Sequence, residues 1–116
     1  MKKYKQGEIF FVDLEPAKGT EPKKKRPCII VSNDNYNKYF NTVLIVPISS
    51  SSKYRSDPKY LDSPLFETIK AKNIEGTALL QHLRAVDPRI RINSDVSAQI
   101  GTAQMNKISE VIKQFL

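Results

Sequence analysis

The apolar residues of this chain come in short runs, each of strand length and each closed by turn chemistry. The runs "EIFFVDL" (8–14), "PCIIVSN" (27–33) and "NTVLIVPIS" (41–49) are separated by prolines, glycines, serines and charge. Ile, Val, Phe and Thr dominate them, which favours strands over helices. "PCIIVSN" is apolar without alternation, the pattern of a strand buried on both faces. "EIFFVDL" alternates imperfectly and then meets Pro16 and Gly19, which mark a turn. Pro47 near the end of the third run cannot donate to a ladder, so it predicts a sheet edge or a bulge. "SSSSKYRSDPKY" (49–60) reads as an exposed loop, with Tyr54 and Tyr60 within reach of the core. "LFETIKAKN" (65–73), "GTALLQHLRAVD" (76–87) and "PRIRI" (88–92) read as further strands, the last alternating cleanly. Only the tail changes period. Met105, Ile108, Val111, Ile112, Phe115 and Leu116 fall at helical spacing, with Thr102 as N-cap just after Gly101. Short strands finished by one amphipathic helix predict a mainly β fold, a small curled β-barrel with a C-terminal helix on one side. Short helices fit in its loops.

A length of 116 residues predicts a single domain, residues 1–116, able to bury about two thirds of its unfolded surface. The lone Cys28 lies inside an apolar run and cannot form an internal disulfide, which predicts a reducing, cytoplasmic setting and a packing role. "MKKYKQGEIFF" carries basic residues but no apolar stretch of signal-peptide length. No segment approaches the ~18 apolar residues of a membrane span. The net charge is +7, from 19 basic and 12 acidic residues. That field favours a polyanion or an acidic protein partner, and it is silent on fold. The lysines concentrate at 2–5, 18–25 and 53–59, at or near predicted loops.

Three stretches carry chemistry. In "GTEPKKKRP" (19–27) four cations lead into a core strand. Arg26 stands where the loop rejoins the fold, and Pro27 biases it toward an extended backbone. A guanidinium held there presents a fixed two-pronged fork to a phosphate, a geometry lysine lacks. The competing reading is an ion pair with Glu21 or Glu15. "PISSSSK" (47–53) ends a strand in consecutive hydroxyls; a serine run is ordinarily flexible loop, and only Ser49 and Ser50 lie close enough to the strand to be held. "LLQHLR" (79–84) sets Gln81, His82 and Arg84 near the end of another apolar run, and a single histidine excludes a catalytic histidine pair within one chain. There is no Cys/His cluster for zinc, no phosphate-binding glycine loop and no nucleophile elbow. The carboxylates are not grouped as a two-metal nuclease needs. Any phosphodiester cleavage is therefore expected to proceed without a metal or other cofactor.

The segment "GEIFFVDLEPAKGTEPKKKRPCIIVSND" closely resembles the N-terminal half of the MazF/PemK toxin endoribonucleases. Their pattern there is a Gly-Asp/Glu strand, an acidic-residue-Pro turn, Gly-Ser/Thr-Glu, then Arg-Pro and an apolar strand. "VLIVPIS", "ALLQHLRAVDPRIRI" and "IGTAQMNKISEVIKQFL" are similar to the later segments of that family, in order, over essentially the whole chain. The resemblance implies an SH3-like β-barrel with a C-terminal helix, acting as a homodimer. It implies cleavage of single-stranded RNA, messenger RNA included, at a short sequence, and inhibition by an acidic antitoxin. Carried over by position, it makes Arg26 the catalytic arginine, Ser49 the counterpart of the catalytic threonine and Glu21 the supporting acid. Gly19 and Thr20 belong to the matched loop pattern. His82 stands where many relatives have a base-reading glutamine, so the cut sequence does not transfer from them. Ser49 keeps the hydroxyl but loses a methyl that limits its rotamers.

On that reading the ribose 2′-hydroxyl is the nucleophile, and the products carry a 2′,3′-cyclic phosphate and a 5′-hydroxyl. Lys23, Lys24 and Lys25 follow the RNA backbone, Ser50 and Lys53 extend the binding surface, and Tyr36, Tyr39, Tyr54 and His82 are candidate platforms for unstacked bases. Two alternatives belong to other classes. A same-fold toxin that binds a protein target such as DNA gyrase relies on a tryptophan-bearing C-terminal end, and this chain has no Trp and ends "KQFL". A non-catalytic RNA-binding barrel would lack Arg26 or the hydroxyl at 49, and both are present.

Overall fold

A computed structural model describes residues 4–15, 19 and 25–116. The elements, in chain order, are β1 (Glu8–Asp13), β2 (Lys25–Ile30), α1 (Asp34–Tyr39), β3 (Val43–Ser49), α2 (Lys53–Ser56), α3 (Pro58–Leu61), β4 (Phe66–Ala71) and β5 (Ile74–Leu79). They continue with a 3-10 turn (Leu80–His82), β6 (Arg84–Val86), α4 (Pro88–Arg91), β7 (Ala98–Gln99) and α5 (Thr102–Gln114). The strands form one curled antiparallel sheet in the order β4-β5-β3-β2-β1-β7, with β6 attached to β3. The result is the mainly β half-barrel with a C-terminal helix that the short runs predict.

The period of two sorts the strand residues into two cores. Ile29 and Val31 of the second apolar run, with Val46 and Ile48 of β3, face one core, which α5 covers with Met105, Ile108 and Ile112. Cys28 and Ile30, with Val43 and Ile45, face the other, shared with Phe10, Val12, Leu14, Val86 and Ile92. The unalternating run thus fills both faces, and Tyr4 seals the second core edge-on against Phe10.

Four details depart from the pattern reading. Pro47 lies in a central strand rather than at an edge. β3 pairs with β6 through Val43–Ile45 and with β5 through Ile48 and Ser49, so the proline falls at the change of partner, where no ladder donor is required on that side. "PRIRI" forms helix α4, not a strand: Asp87 is its N-cap, accepting from the Arg89 N–H at 3.0 Å, and Pro88 occupies the first turn. The serine-rich loop holds two short helices, α2 and α3, the latter capped by Asp57. The N-cap of α5 is Gly101 rather than Thr102, and Phe115 and Leu116 lie past the helix end, 42% and 88% exposed. No described helix is long and apolar enough to cross a membrane.

Candidate active site

Arg26 is the second residue of β2, and Ser49 is the last residue of β3. The two strands pair Ile30 with Ile45, Ile29 with Val46 and Cys28 with Pro47. The paired ladder ends there; continued by two residues along each strand, its register would set Arg26 level with Ser49. Directly opposed residues share a face of the sheet, so both belong to the face of the second core, at its rim. Val12 of β1 opposes Arg26, Thr77 of β5 opposes Ser49, and Thr68 of β4 opposes Thr77. The observed pairs form two sets on this face, Val12 with Arg26, and Ser49 with Thr77 and Thr68, which the continued register would join into one row, apolar at one end and hydroxyl-bearing at the other.

Arg26 is half-buried and Ser49 is 6% exposed. Ser49 Oγ accepts the Ser51 N–H at 3.2 Å, which turns the chain sharply out of β3. The exposed Ser50 is held through its carbonyl by Arg55 Nη2 at 3.4 Å, while Arg55 Nη1 reaches Glu75 of β5 at 3.3 Å. Arg55 thereby clasps the serine segment to the neighbouring strand. Close packing brings β5 in tightly here. A Cβ at Gly76 would lie 2.4 Å from the Ser49 carbonyl oxygen, so only glycine allows this approach.

Cys28 lies one step inward from Arg26 on the same face. Burial pushes its thiol up to about 12, and the Arg26 and Arg84 guanidiniums pull the other way. Two cations from different strands therefore flank one buried thiol. Arg84, in β6 opposite Ile45, joins Arg26 on this face. In the sequence Arg84 stands near the end of an apolar run, within the Arg-x-x-Asp spacing of the segment that resembles the family. The Asp of that spacing, Asp87, is a cap. The side-chain hydrogen bond from Arg89 holds its carboxyl below the usual range.

The expected RNA-binding residues distribute unevenly. Lys25 is exposed at the start of β2, opposite Asp13, and Gly19 is exposed with φ +59. Thr20, Glu21, Lys23 and Lys24 lie outside the described residues. Arg91 donates to the Asp13 carbonyl at 3.2 Å and to the Glu15 carbonyl, which pins the end of β1. His82, half-buried, lies in the turn between β5 and β6. Lys53 sits 4.9 Å from the centre of the Tyr54 ring, and Tyr54, Tyr60 and Phe66 pack together with centroids 4.9–5.3 Å apart. Phe66 shares its face of β4 with Thr68, so this cation-capped aromatic cluster adjoins the row. Tyr36 and Tyr39 are on α1; Tyr36 packs on Phe40 and contacts Thr42 Oγ1 at 3.3 Å, while Tyr39 is 74% exposed. Among the described residues, no three His, Cys, Asp or Glu side chains group closely enough to hold a metal ion.

A curled antiparallel half-barrel closed by one C-terminal helix, with basic and hydroxyl side chains near the ends of its central strands, defines a small basic β fold. The chain belongs to the PemK-like, MazF-like toxins of type II toxin–antitoxin systems, whose family model matches residues 5–116. It is 29% identical over 86 residues to "Endoribonuclease MazF" of Staphylococcus epidermidis, covering 73% of this chain and 69% of that protein. The fold matches the crystal structure of MazF from Deinococcus radiodurans with a TM-score of 0.80 at 20% identity, over 99% of this chain and 97% of that one. It also matches an endoribonuclease in complex with its cognate antitoxin from a mycobacterial species, with a TM-score of 0.71 at 18% identity, over 96% and 92% of the two chains.

Proposed function

We propose that this chain is a sequence-specific endoribonuclease that cuts single-stranded RNA, messenger RNA included, by intramolecular attack of the ribose 2′-hydroxyl. What supports the reading is that Arg26 and Ser49 lie near the ends of two adjacent paired strands, on the same face of the sheet. A guanidinium and an alcohol on one face, a strand apart, suit the two non-bridging oxygens of one phosphodiester.

The nucleophile arrives with the substrate, so the protein supplies in-line positioning and charge stabilisation. The 2′-oxygen forms a bond to phosphorus, its proton passes to a base, and the 5′-oxygen leaves and is protonated. The products are a 2′,3′-cyclic phosphate and a 5′-hydroxyl. Arg26 neutralises the developing charge, with Arg84 adding a second cation, and Ser49 donates a hydrogen bond to a non-bridging oxygen. Loss of one such preorganised donor costs on the order of 3–4 kcal/mol in the barrier. A guanidinium with a pKa above ~12 is a poor base. Glu21 is the candidate for that role. The lysines of residues 23–25 track the backbone, Gly19, Thr20, Ser50 and Lys53 line the approach, and His82 with Tyr54 receives unstacked bases. No cofactor enters the scheme. The basic surface suits an acidic antitoxin, and two copies of the chain form the working dimer.

The test maps cleavage ends on a mixed RNA pool, with and without chelator. The expected result is cutting at one short sequence in both, leaving cyclic phosphate and 5′-hydroxyl ends. Arg26→Ala should bind RNA nearly as tightly yet cleave at least 10²-fold more slowly. Cutting of a substrate with 2′-deoxyribose at the scissile position would overturn the mechanism.

A further inference from the structure

Thr77 is 1% exposed, and its Oγ1 has no hydrogen-bond partner among the described residues. A buried hydroxyl without a partner is destabilising, and a valine of similar shape carries no such desolvation cost. The position of this hydroxyl explains its presence. Thr77 directly opposes Ser49 across the β3–β5 ladder. Opposed residues of an antiparallel pair have Cβ atoms about 4.5–5.5 Å apart, and serine–threonine pairs there form cross-strand hydrogen bonds. Ser49 Oγ already accepts the Ser51 N–H at 3.2 Å, which leaves one acceptor site and its own proton to be directed.

We infer that Thr77 is a positioning residue for Ser49. With substrate bound, the Thr77 hydroxyl donates to Ser49 Oγ, so both acceptor sites of Ser49 are occupied by protein donors. The Ser49 proton is then aimed out of the sheet, toward a phosphoryl oxygen. A threonine restricts its own χ1 by β-branching and a serine does not. Thr77 supplies from across the ladder the restraint that Ser49 lacks. Among the described residues the Thr77 hydroxyl has no hydrogen-bond partner, a cost to stability of the kind common for groups that act only when a ligand is present.

The inference rests on the ribonuclease reading, and its test separates the two. Thr77→Val and Thr77→Ser are made in the full chain and again in a Ser49→Thr background, and kcat, KM and Tm are measured with the mapped RNA substrate. Thr77→Val should fold with a Tm at or above that of the parent and keep its KM, while kcat falls about tenfold. Thr77→Ser should restore kcat to within about threefold. In the Ser49→Thr background, where the added methyl orients the hydroxyl, Thr77→Val should cost less than threefold. An unchanged kcat for Thr77→Val would overturn the inference, as would an equal loss in both backgrounds or a loss confined to KM. Absence of cleavage by the parent protein would overturn the ribonuclease reading and this inference together.

Discussion

Gly76→Ala tests whether the site depends on the close approach of β5 to the end of β3. The added Cβ would lie 2.4 Å from the Ser49 carbonyl oxygen, 2.9 Å from Ile48 Cγ2 and 3.1 Å from the Ser49 carbonyl carbon. A carbon and a carbonyl oxygen in contact settle near ~3.3 Å, so the two backbones must part by about 0.9 Å. The obstacle is main chain, which has no rotamer to escape into. Overpacking of this kind costs about 1–3 kcal/mol. At an unfolding entropy near 2.1 cal/mol/K per residue, that lowers the Tm of 116 residues by roughly 4–12 °C. The displaced group is Ser49 itself, and a misplacement near 1 Å costs on the order of 10²-fold in rate. Thermal unfolding and single-turnover cleavage are measured on the same preparations. Gly101→Ser serves as the control, since a Cβ at Gly101 meets nothing within 4 Å. A Gly76→Ala protein with parental Tm and cleavage rate would refute both the close approach and the dependence of the chemistry on Ser49.

Other outcomes can be checked separately. Lys72 occupies the two-residue β4–β5 turn with φ +51, a conformation that costs a non-glycine residue ~1–2 kcal/mol. Lys72→Gly should therefore raise the unfolding free energy by about 0.5–1 kcal/mol once the greater freedom of the unfolded chain is subtracted, seen as a higher urea midpoint at constant m-value. The Cys28 thiol has a folded-state pKa of about 12 against an ordinary 9.0. Its contribution to stability is complete below pH 9 and is lost as pH rises from 9 toward 12, because the unfolded thiol ionises first. Cys28→Ala should accordingly lose less stability than the parent between pH 8 and pH 10.5, and an identical pH profile would contradict that. Replacing Lys23, Lys24 and Lys25 by alanine should lower the slope of log affinity against log salt by about 2, at roughly 0.7 per phosphate contact on a single strand. The cleavage position should not move.

What the sequence determined by itself was most of what depends on local pattern. Short β-branched runs specified strands, the unalternating "PCIIVSN" announced burial on both faces, and the spacing of Met105, Ile108 and Ile112 specified a covering helix. Arg26 and Ser49 were legible one at a time, as a cation and a hydroxyl at the ends of apolar runs. Local pattern failed where two signals competed. "PRIRI" alternates over five residues, yet the Asp87 cap and Pro88 at the helix start outweigh an alternation that short. Pro47 reads as an edge or a bulge because a strand's partners are not written in its own residues, and β3 changes partner at that position. Tertiary structure alone decided which residues share a level of the sheet. Register brings together positions far apart in the chain, such as Cys28 with Pro47 and Ser49 with Thr77. A slip of one residue would have turned each of them to the other face. For the same reason nothing in "GTALL" distinguishes Thr77 from an ordinary strand threonine, or Gly76 from an ordinary turn glycine. Their importance arises from the strand opposite, which only the folded sheet supplies.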